Sequence, residues 1–268
     1  MGKKMNLPIN QIICGDNVET LRGFPDDCID LTVTSPPYDN LRTYGGHSWD
    51  FEGVAQQLWR VTKPGGVVVW VVADATINGS ETGTSFRQAL RFMEIGFRLL
   101  DTMIWNKPPA GANGSSQCYP QSCEFMFVLS KGSPTSVNRL QDRRNSTAGQ
   151  MQRKTIAGRC GKNNTGAKDM RPLAVTPEFG LRTNVWEYAV GAISGSDHTS
   201  HPAVFPEALA RDHILSWSNE GDTVLDPFSG SGTTAKMAKL MGRQFIGIEV
   251  NPEYCEIAEE RLRQGVLF

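Results

Sequence analysis

The chain has 268 residues, 39% apolar and 21% charged, a balance that excludes a disordered polymer and suits one large α/β domain or one domain carrying an insertion. No apolar run approaches the roughly 18 residues a membrane span needs, and Met1–Pro8 has two lysines but no apolar h-region, so the reading is a cytoplasmic protein without a membrane partner. The net charge of −1 is unevenly spread: Lys131–Glu187 holds eleven Lys/Arg against four Asp/Glu, which is +7, and the remainder sums to −8.

In chain order, Gln11–Cys14 and Asp30–Thr34 read as short buried strands, the second running into Ser35-Pro-Pro-Tyr38. Phe51–Val61 has helical apolar spacing and stops at the breaker Lys63-Pro64-Gly65-Gly66. Val67–Ala73 is a continuous, mostly β-branched run, as in a parallel strand covered on both faces. Ser85–Ile95 reads as a helix, and Arg98–Trp105 and Glu124–Leu129 as strands. This alternation predicts a doubly wound parallel sheet.

Between Ser130 and about Thr199 the pattern dissolves into Gly, Ser, Thr, Asn and Arg without helical or strand periodicity. Regular structure resumes with a helix over Pro206–Trp217, a strand over Thr223–Leu225 and the glycine-rich run Asp226–Thr234. A helix over Thr233–Met241, a strand over Gln244–Val250 and a helix over Pro252–Gln264 follow. Residues 1–132 and 200–268 are therefore expected to be two halves of one domain, interrupted by an irregular basic insert over 133–199. A basic segment in an otherwise acidic chain is an electrostatic footprint for a polyanion, a solvated surface loop being the alternative. The six cysteines (Cys14, Cys28, Cys118, Cys123, Cys160, Cys255) form no C-x-x-C pair and read as free thiols. Cys118 and Cys123 lie close in sequence, but without a second Cys/His pair at ligand spacing no metal site is expected.

In Asp222–Gly232 a strand meets a glycine turn and a helix start, where glycines let the backbone approach a ligand. The next strand ends in Glu249, an acid placed to accept both ribose hydroxyls of a nucleoside cofactor. A dinucleotide prefers a third glycine, and Ala235 stands at that position. Asp226 before the glycines would repel a diphosphate but suits a zwitterion with an ammonium group, which favours S-adenosylmethionine over a nicotinamide cofactor.

Thr34-Ser35-Pro36-Pro37-Tyr38 follows an apolar strand directly. Two prolines in series fix the backbone and remove two amide donors, leaving carbonyl oxygens free to accept. A serine oxygen and a proline carbonyl there can accept from an –NH2 group and aim its lone pair at an electrophilic methyl, while Tyr38 stacks on an extruded base. The same run could also simply end a strand.

These residues resemble a known family. Ser35-Pro-Pro-Tyr38 resembles the [DNS]-P-P-[YFW] motif of amino-methyltransferases, and Asp226–Thr234 resembles their F-x-G-x-G cofactor motif. The catalytic motif comes first, which resembles the permuted β class of bacterial and phage DNA methyltransferases; related N-P-P-Y glutamine and ribosomal RNA methyltransferases carry the cofactor motif first. Cys14-Gly15-Asp16, Val61–Gly66, Glu124–Lys131 and His201-Pro-Ala-Val-Phe-Pro206 resemble further elements of that class. The resemblance spans all but the insert and the extreme ends.

It implies a Rossmann-like S-adenosylmethionine-dependent methyltransferase fold with a mostly parallel, twisted sheet. It implies that Asp16, Asp226, Phe228, Gly230, Ser231, Gly232, Thr233, Glu249, His201 and Pro202 hold the cofactor, and that Ser35, Pro36, Pro37 and Tyr38 are catalytic. The insert becomes the target-recognition region, with Arg143, Arg144, Arg153, Lys154 and Arg159 as DNA contacts. Asn40, Arg42 and Tyr44 become a loop closing over the flipped base. S-P-P-Y points to N4 of cytosine in duplex DNA, adenine N6 being the alternative and a non-catalytic DNA-binding protein on a decayed fold a remoter one. No Pro-Cys pair offers the thiolate that C5-cytosine chemistry needs. Recognition sequence, oligomeric state and a cognate restriction endonuclease as partner are left open.

Overall fold

The computed structural model describes residues 7–37, 49–108, 119–153, 173–189 and 206–264. The chain divides into two compact units, Met1–Asn138 with Asn184–Phe268, and Arg139–Thr183.

Besides a short antiparallel pair, Thr76–Ile77 with Ser80–Glu81, the described residues of the larger unit form one sheet of eight strands: β1 (Gln11–Cys14), β2 (Ile29–Thr34), β3 (Thr62–Val72), β4 (Arg98–Asn106), β5 (Cys123–Ser130), β6 (Val185–Glu187), β7 (Thr223–Asp226) and β8 (Gln244–Glu249). They lie in the order β1-β8-β7-β2-β3-β5-β4-β6. Every neighbouring pair is parallel except those of β5, which runs antiparallel to both β3 and β4. The sheet is thus mixed but mostly parallel, in line with the expected doubly wound fold, with β5 running against its two neighbours.

Among the described residues six helices accompany the sheet: α1 (Asn17–Arg22), α2 (Phe51–Val61), α3 (Thr84–Ile95), α4 (Glu207–Trp217), α5 (Thr233–Leu240) and α6 (Pro252–Arg263). Val54, Ala55, Leu58 and Val61 recur at helical spacing along α2 and bury one stripe of it. That stripe shares a core cluster with Val18 and Leu21 of α1, Ala89 and Phe92 of α3, and Val68, Trp70 and Val72 of β3. The alternate residues Val67, Val69 and Val71 are buried too, so β3 is covered on both faces, as its unbroken apolar run requires. Each fully buried side chain of the size of Leu58 contributes about 1.5–3 kcal/mol.

Three elements differ from the sequence expectation. β3 begins at Thr62, because Lys63–Gly66 is absorbed as an irregularity in its pairing with β2, Gly65 taking φ +84°. α1 was not anticipated; Asp16 caps it by accepting from the Glu19 amide at 2.9 Å. β6 lies within the stretch read as irregular. Its central Trp186 is buried against His213 of α4, ring centroids 4.5 Å apart, while Val185 and Glu187 face outward.

The described residues of the smaller unit hold two antiparallel ladders, Arg143–Arg144 with Phe179–Gly180 and Met151–Arg153 with Leu173–Val175. Cys14, Cys28, Cys123 and Cys255 are free thiols, whereas Cys118 and Cys160 lie outside the described residues. No helix among the described residues is long and apolar enough to cross a membrane.

Candidate active site

In open α/β sheets ligands bind beyond the carboxyl ends of the strands, where neighbouring connections leave in opposite directions. That place here lies between β2 and β7. The chain leaves β2 towards α2 and β3, on one side, and leaves β7 through α5 towards β8, on the other. Thr34 and Asp226, 192 residues apart in sequence, consequently end adjacent strands.

Thr34 Oγ1 donates to Asp226 Oδ1 at 2.6 Å, and the Phe228 amide donates to the same oxygen at 3.1 Å. Thr234 Oγ1 donates to the Val33 carbonyl at 3.3 Å, tying the first turn of α5 to β2. Asp226 is buried, and burial raises its carboxyl from 3.8 to about 6; the hydroxyls and the Phe228 amide counter this in part, and the like charge of Glu249 adds to it. A buried carboxylate stabilised by neutral donors alone is a place for a cation. The ammonium of an amino-acid-like cofactor fits it.

Glu249 ends β8 half-buried, with each oxygen held by one backbone amide: Gly230 at 2.8 Å and Asn251 at 2.9 Å. A carboxylate has about four acceptor sites, so both oxygens keep a lone pair for ribose hydroxyls. One glycine of the turn is required by space. Gly232 has φ +80°, and a Cβ there would stand 2.8 Å from that of Ala258.

Within the glycine turn, two of the side chains expected at the cofactor are engaged by α6. Ser231 and Thr233 are buried and accept from Arg261 Nη1 of α6 at 2.8 and 3.3 Å, so their hydroxyls brace the turn from behind. Asp16 is exposed, directly after Gly15, whose amide donates to the Glu249 carbonyl at 2.8 Å. Asn17 Nδ2 donates to the Pro227 carbonyl at 3.2 Å, which draws the Gly15-Asp16 bend to the glycine turn. Phe228 is half-buried, edge-on to Trp49 at 4.9 Å and Trp70 at 6.2 Å between ring centroids.

Ser35 and Pro37 are half-buried and Pro36 is buried. Tyr38, Asn40, Arg42, Tyr44, Lys154, Arg159, His201 and Pro202 lie outside the described residues, and Arg153 is described in its backbone only. In the smaller unit Arg143 is exposed and tied across its ladder, Nε donating to the Leu181 carbonyl at 3.0 Å. Arg144 is exposed, 3.8 Å from Glu178. Sequence reasoning missed Thr34 as a partner of Asp226, Trp49 beside Phe228, and Arg261. Only Arg261 had a visible signal: an arginine on the stripe of α6 that buries Cys255 and Ala258.

The family model for DNA methylases matches residues 29–260. The chain is 53% identical over 245 residues to the orphan methyltransferase M.BamHII of Bacillus amyloliquefaciens, covering 90% of this chain and 91% of that protein. It is similar in structure to a putative DNA modification methylase of Thermus thermophilus complexed with S-adenosyl-L-methionine, at 25% identity and TM-score 0.62, covering 96% and 97% of the two chains. It shares its fold with the PvuII DNA methyltransferase, which is cytosine-N4-specific, at 21% identity and TM-score 0.66, covering 96% and 87%.

Proposed function

The chain belongs to the DNA methylase family, and from that premise we propose that it methylates the exocyclic N4 of a cytosine flipped out of duplex DNA. It is a DNA methyltransferase that uses S-adenosylmethionine on a Rossmann-like fold. The motif order, acceptor turn at 35–38 before glycine turn at 226–234, supports placing it in the permuted β class.

The observation that carries the reading is the 2.6 Å bond from Thr34 to Asp226, which sets the acceptor turn beside the cofactor turn. Asp226 would hold the cofactor's ammonium, Glu249 its ribose, and the Gly230–Gly232 backbone its close approach. When bound, the cofactor supplies an electrophilic methyl group on its sulfonium. The Ser35 hydroxyl and the Pro36 carbonyl accept the two N4 hydrogens and turn the nitrogen lone pair out of the ring, and Tyr38 stacks on the base. Orientation and electrostatics suffice for an exocyclic amine, so no covalent enzyme adduct is required. Transfer leaves the neutral thioether S-adenosylhomocysteine, and the nitrogen, now carrying the methyl, releases one of its two protons to solvent water, so the methylated base is neutral.

Serine at the head of the turn supports cytosine, since in the family this turn resembles, S-P-P-Y usually goes with N4 of cytosine. Residues 139–183, with ten Lys/Arg against three Asp/Glu, supply the charge to hold a duplex. Incubation with labelled S-adenosylmethionine and mixed-sequence duplex DNA, digestion to nucleosides and mass spectrometry test the reading. N4-methyl-deoxycytidine is expected. N6-methyl-deoxyadenosine would keep the mechanism and overturn the base; no methylated base, with cofactor still bound, would overturn DNA as the substrate.

A further inference from the structure

Thr34 is the last residue of β2, one position before the acceptor turn, and it is buried. Its Cα pairs with that of Trp70 in β3, so the backbone is fixed by the sheet and the side chain is left to choose its partner. A valine would suit this buried strand in shape. The hydroxyl instead donates at 2.6 Å to Asp226 Oδ1, on the first residue of the glycine turn. Two polar groups of matched geometry in a water-poor site interact far more strongly than at a surface, and a buried acceptor left without its donor is costly.

Resting on the methyltransferase reading, we propose that Thr34 is a positioning residue that couples cofactor capture to the acceptor turn. Its hydroxyl holds the Asp226 carboxylate in the orientation that receives the cofactor's ammonium. The same bond fixes the end of β2, from which Ser35 and Pro36 continue. Cofactor binding and base orientation therefore share one hydrogen bond. The other groups acting on Asp226 are the Phe228 amide, the Thr234 hydroxyl and the like charge of Glu249 on β8. Thr34 does not touch the reacting atoms; it acts through Asp226 and through the backbone it ends.

The test compares the parent with Thr34→Val, Thr34→Ser, Asp226→Asn and the Asp226→Asn/Thr34→Val pair. Affinity for S-adenosylmethionine is measured by calorimetry between pH 6.5 and 9, and kcat and KM on mixed-sequence duplex DNA. Thr34→Val is expected to bind the cofactor roughly tenfold more weakly at pH 7.5 and to lose kcat at saturating cofactor as well. The affinity gap should narrow as pH rises, because loss of the hydroxyl disfavours the ionised carboxylate most where it is still titrating. Thr34→Ser should recover both parameters, and in the Asp226→Asn background Thr34→Val should change affinity less than twofold. Thr34→Cys keeps the side chain's size with a much weaker donor and gives a second measurement on the same atom, with thermal melting confirming that each variant is folded. Parent-like affinity and kcat in Thr34→Val or Thr34→Cys would overturn the proposal. So would a loss that is equal at every pH and persists without Asp226, since that is packing alone. Failure of the parent itself to bind S-adenosylmethionine would instead strike the methyltransferase reading.

Discussion

The carboxyl end of the sheet and the unit of residues 139–183 are both rich in polar side chains, but they dispose of them in opposite ways. At the sheet end Asp226, Ser231, Thr233, Thr234 and Arg261 are buried and bonded to one another or to nearby backbone. In the smaller unit Asp142, Arg143, Arg144 and Glu178 are exposed, and their bonds and ion pairs lie in water. A buried hydrogen bond is specific in geometry and expensive to break, whereas an exposed ion pair contributes about 0–1 kcal/mol and exchanges readily. The first region can preorganise a reaction; the second can trade its partners for phosphates. On the function proposed above, chemistry and target recognition fall to regions whose polar groups differ in what holds them.

On that contrast, the largest effects come from single atoms at the sheet end. Ser35→Ala removes one acceptor of the target amine and should lower kcat by on the order of 10²-fold, with cofactor affinity within about twofold of the parent. Single-turnover kinetics beside calorimetry separate the two, and equal activity would remove Ser35 from the mechanism.

Asp226→Asn should weaken S-adenosylmethionine binding roughly 10- to 100-fold, while making the cofactor-free protein more stable at alkaline pH. The folded-state value near 6 lies above the ordinary 3.8, so the folded protein holds its proton more tightly than the unfolded chain. Stability is therefore fully present below pH 3.8, falls as pH rises through about 6, and is lower by on the order of 2–3 kcal/mol above that. Asparagine carries no such charge. Denaturant melts at pH 5 and pH 8 should show the parent losing stability between them and the variant losing less. A parallel fall in both would mean that the carboxylate is not strained by burial.

Gly232→Ala tests the turn itself. A residue with a side chain is disfavoured at φ +80°, and the new Cβ would meet Ala258 at 2.8 Å. A loss of about 1–3 kcal/mol is expected, read by urea melts, together with weaker cofactor binding. Unchanged stability would show that α6 yields easily.

How much of this was legible in the sequence follows the same physical divide. β2, β3, β7 and β8 are near-continuous buried runs, and α2 carries its stripe at 3.6-residue spacing, so local patterns identified them. The places of Asp226, Glu249 and the glycine turn at strand ends and a helix start were legible because a strand-turn-helix unit of this kind puts such residue types at fixed spacing. β6 was not, because three residues become a strand only through Trp186 packing on His213, 27 positions further on. Thr34 was hidden for the same reason: its partner stands 192 residues away, and only strand order makes them neighbours. In residues 139–183 the sequence displayed charge and little else, since short exposed ladders leave no periodicity.

The smallest effect, and the one that tests the exposed half of the contrast, is Arg144→Ala. Arg144 is exposed and 3.8 Å from Glu178, a pair too loose to matter much for folding. Its removal should leave thermal stability within about 0.5 kcal/mol of the parent. If its guanidinium neutralises a phosphate, duplex affinity should fall a few-fold on all sequences alike. The slope of log affinity against log salt should then become shallower by about one. Arg143, held to the Leu181 carbonyl, makes the useful counterpart: its replacement by alanine should cost more stability than that of Arg144. Fluorescence anisotropy across a salt series measures both variants. A salt slope unchanged in Arg144→Ala would remove this arginine from the DNA-binding surface, and a sequence-dependent loss would make it a reader of bases rather than a holder of phosphate.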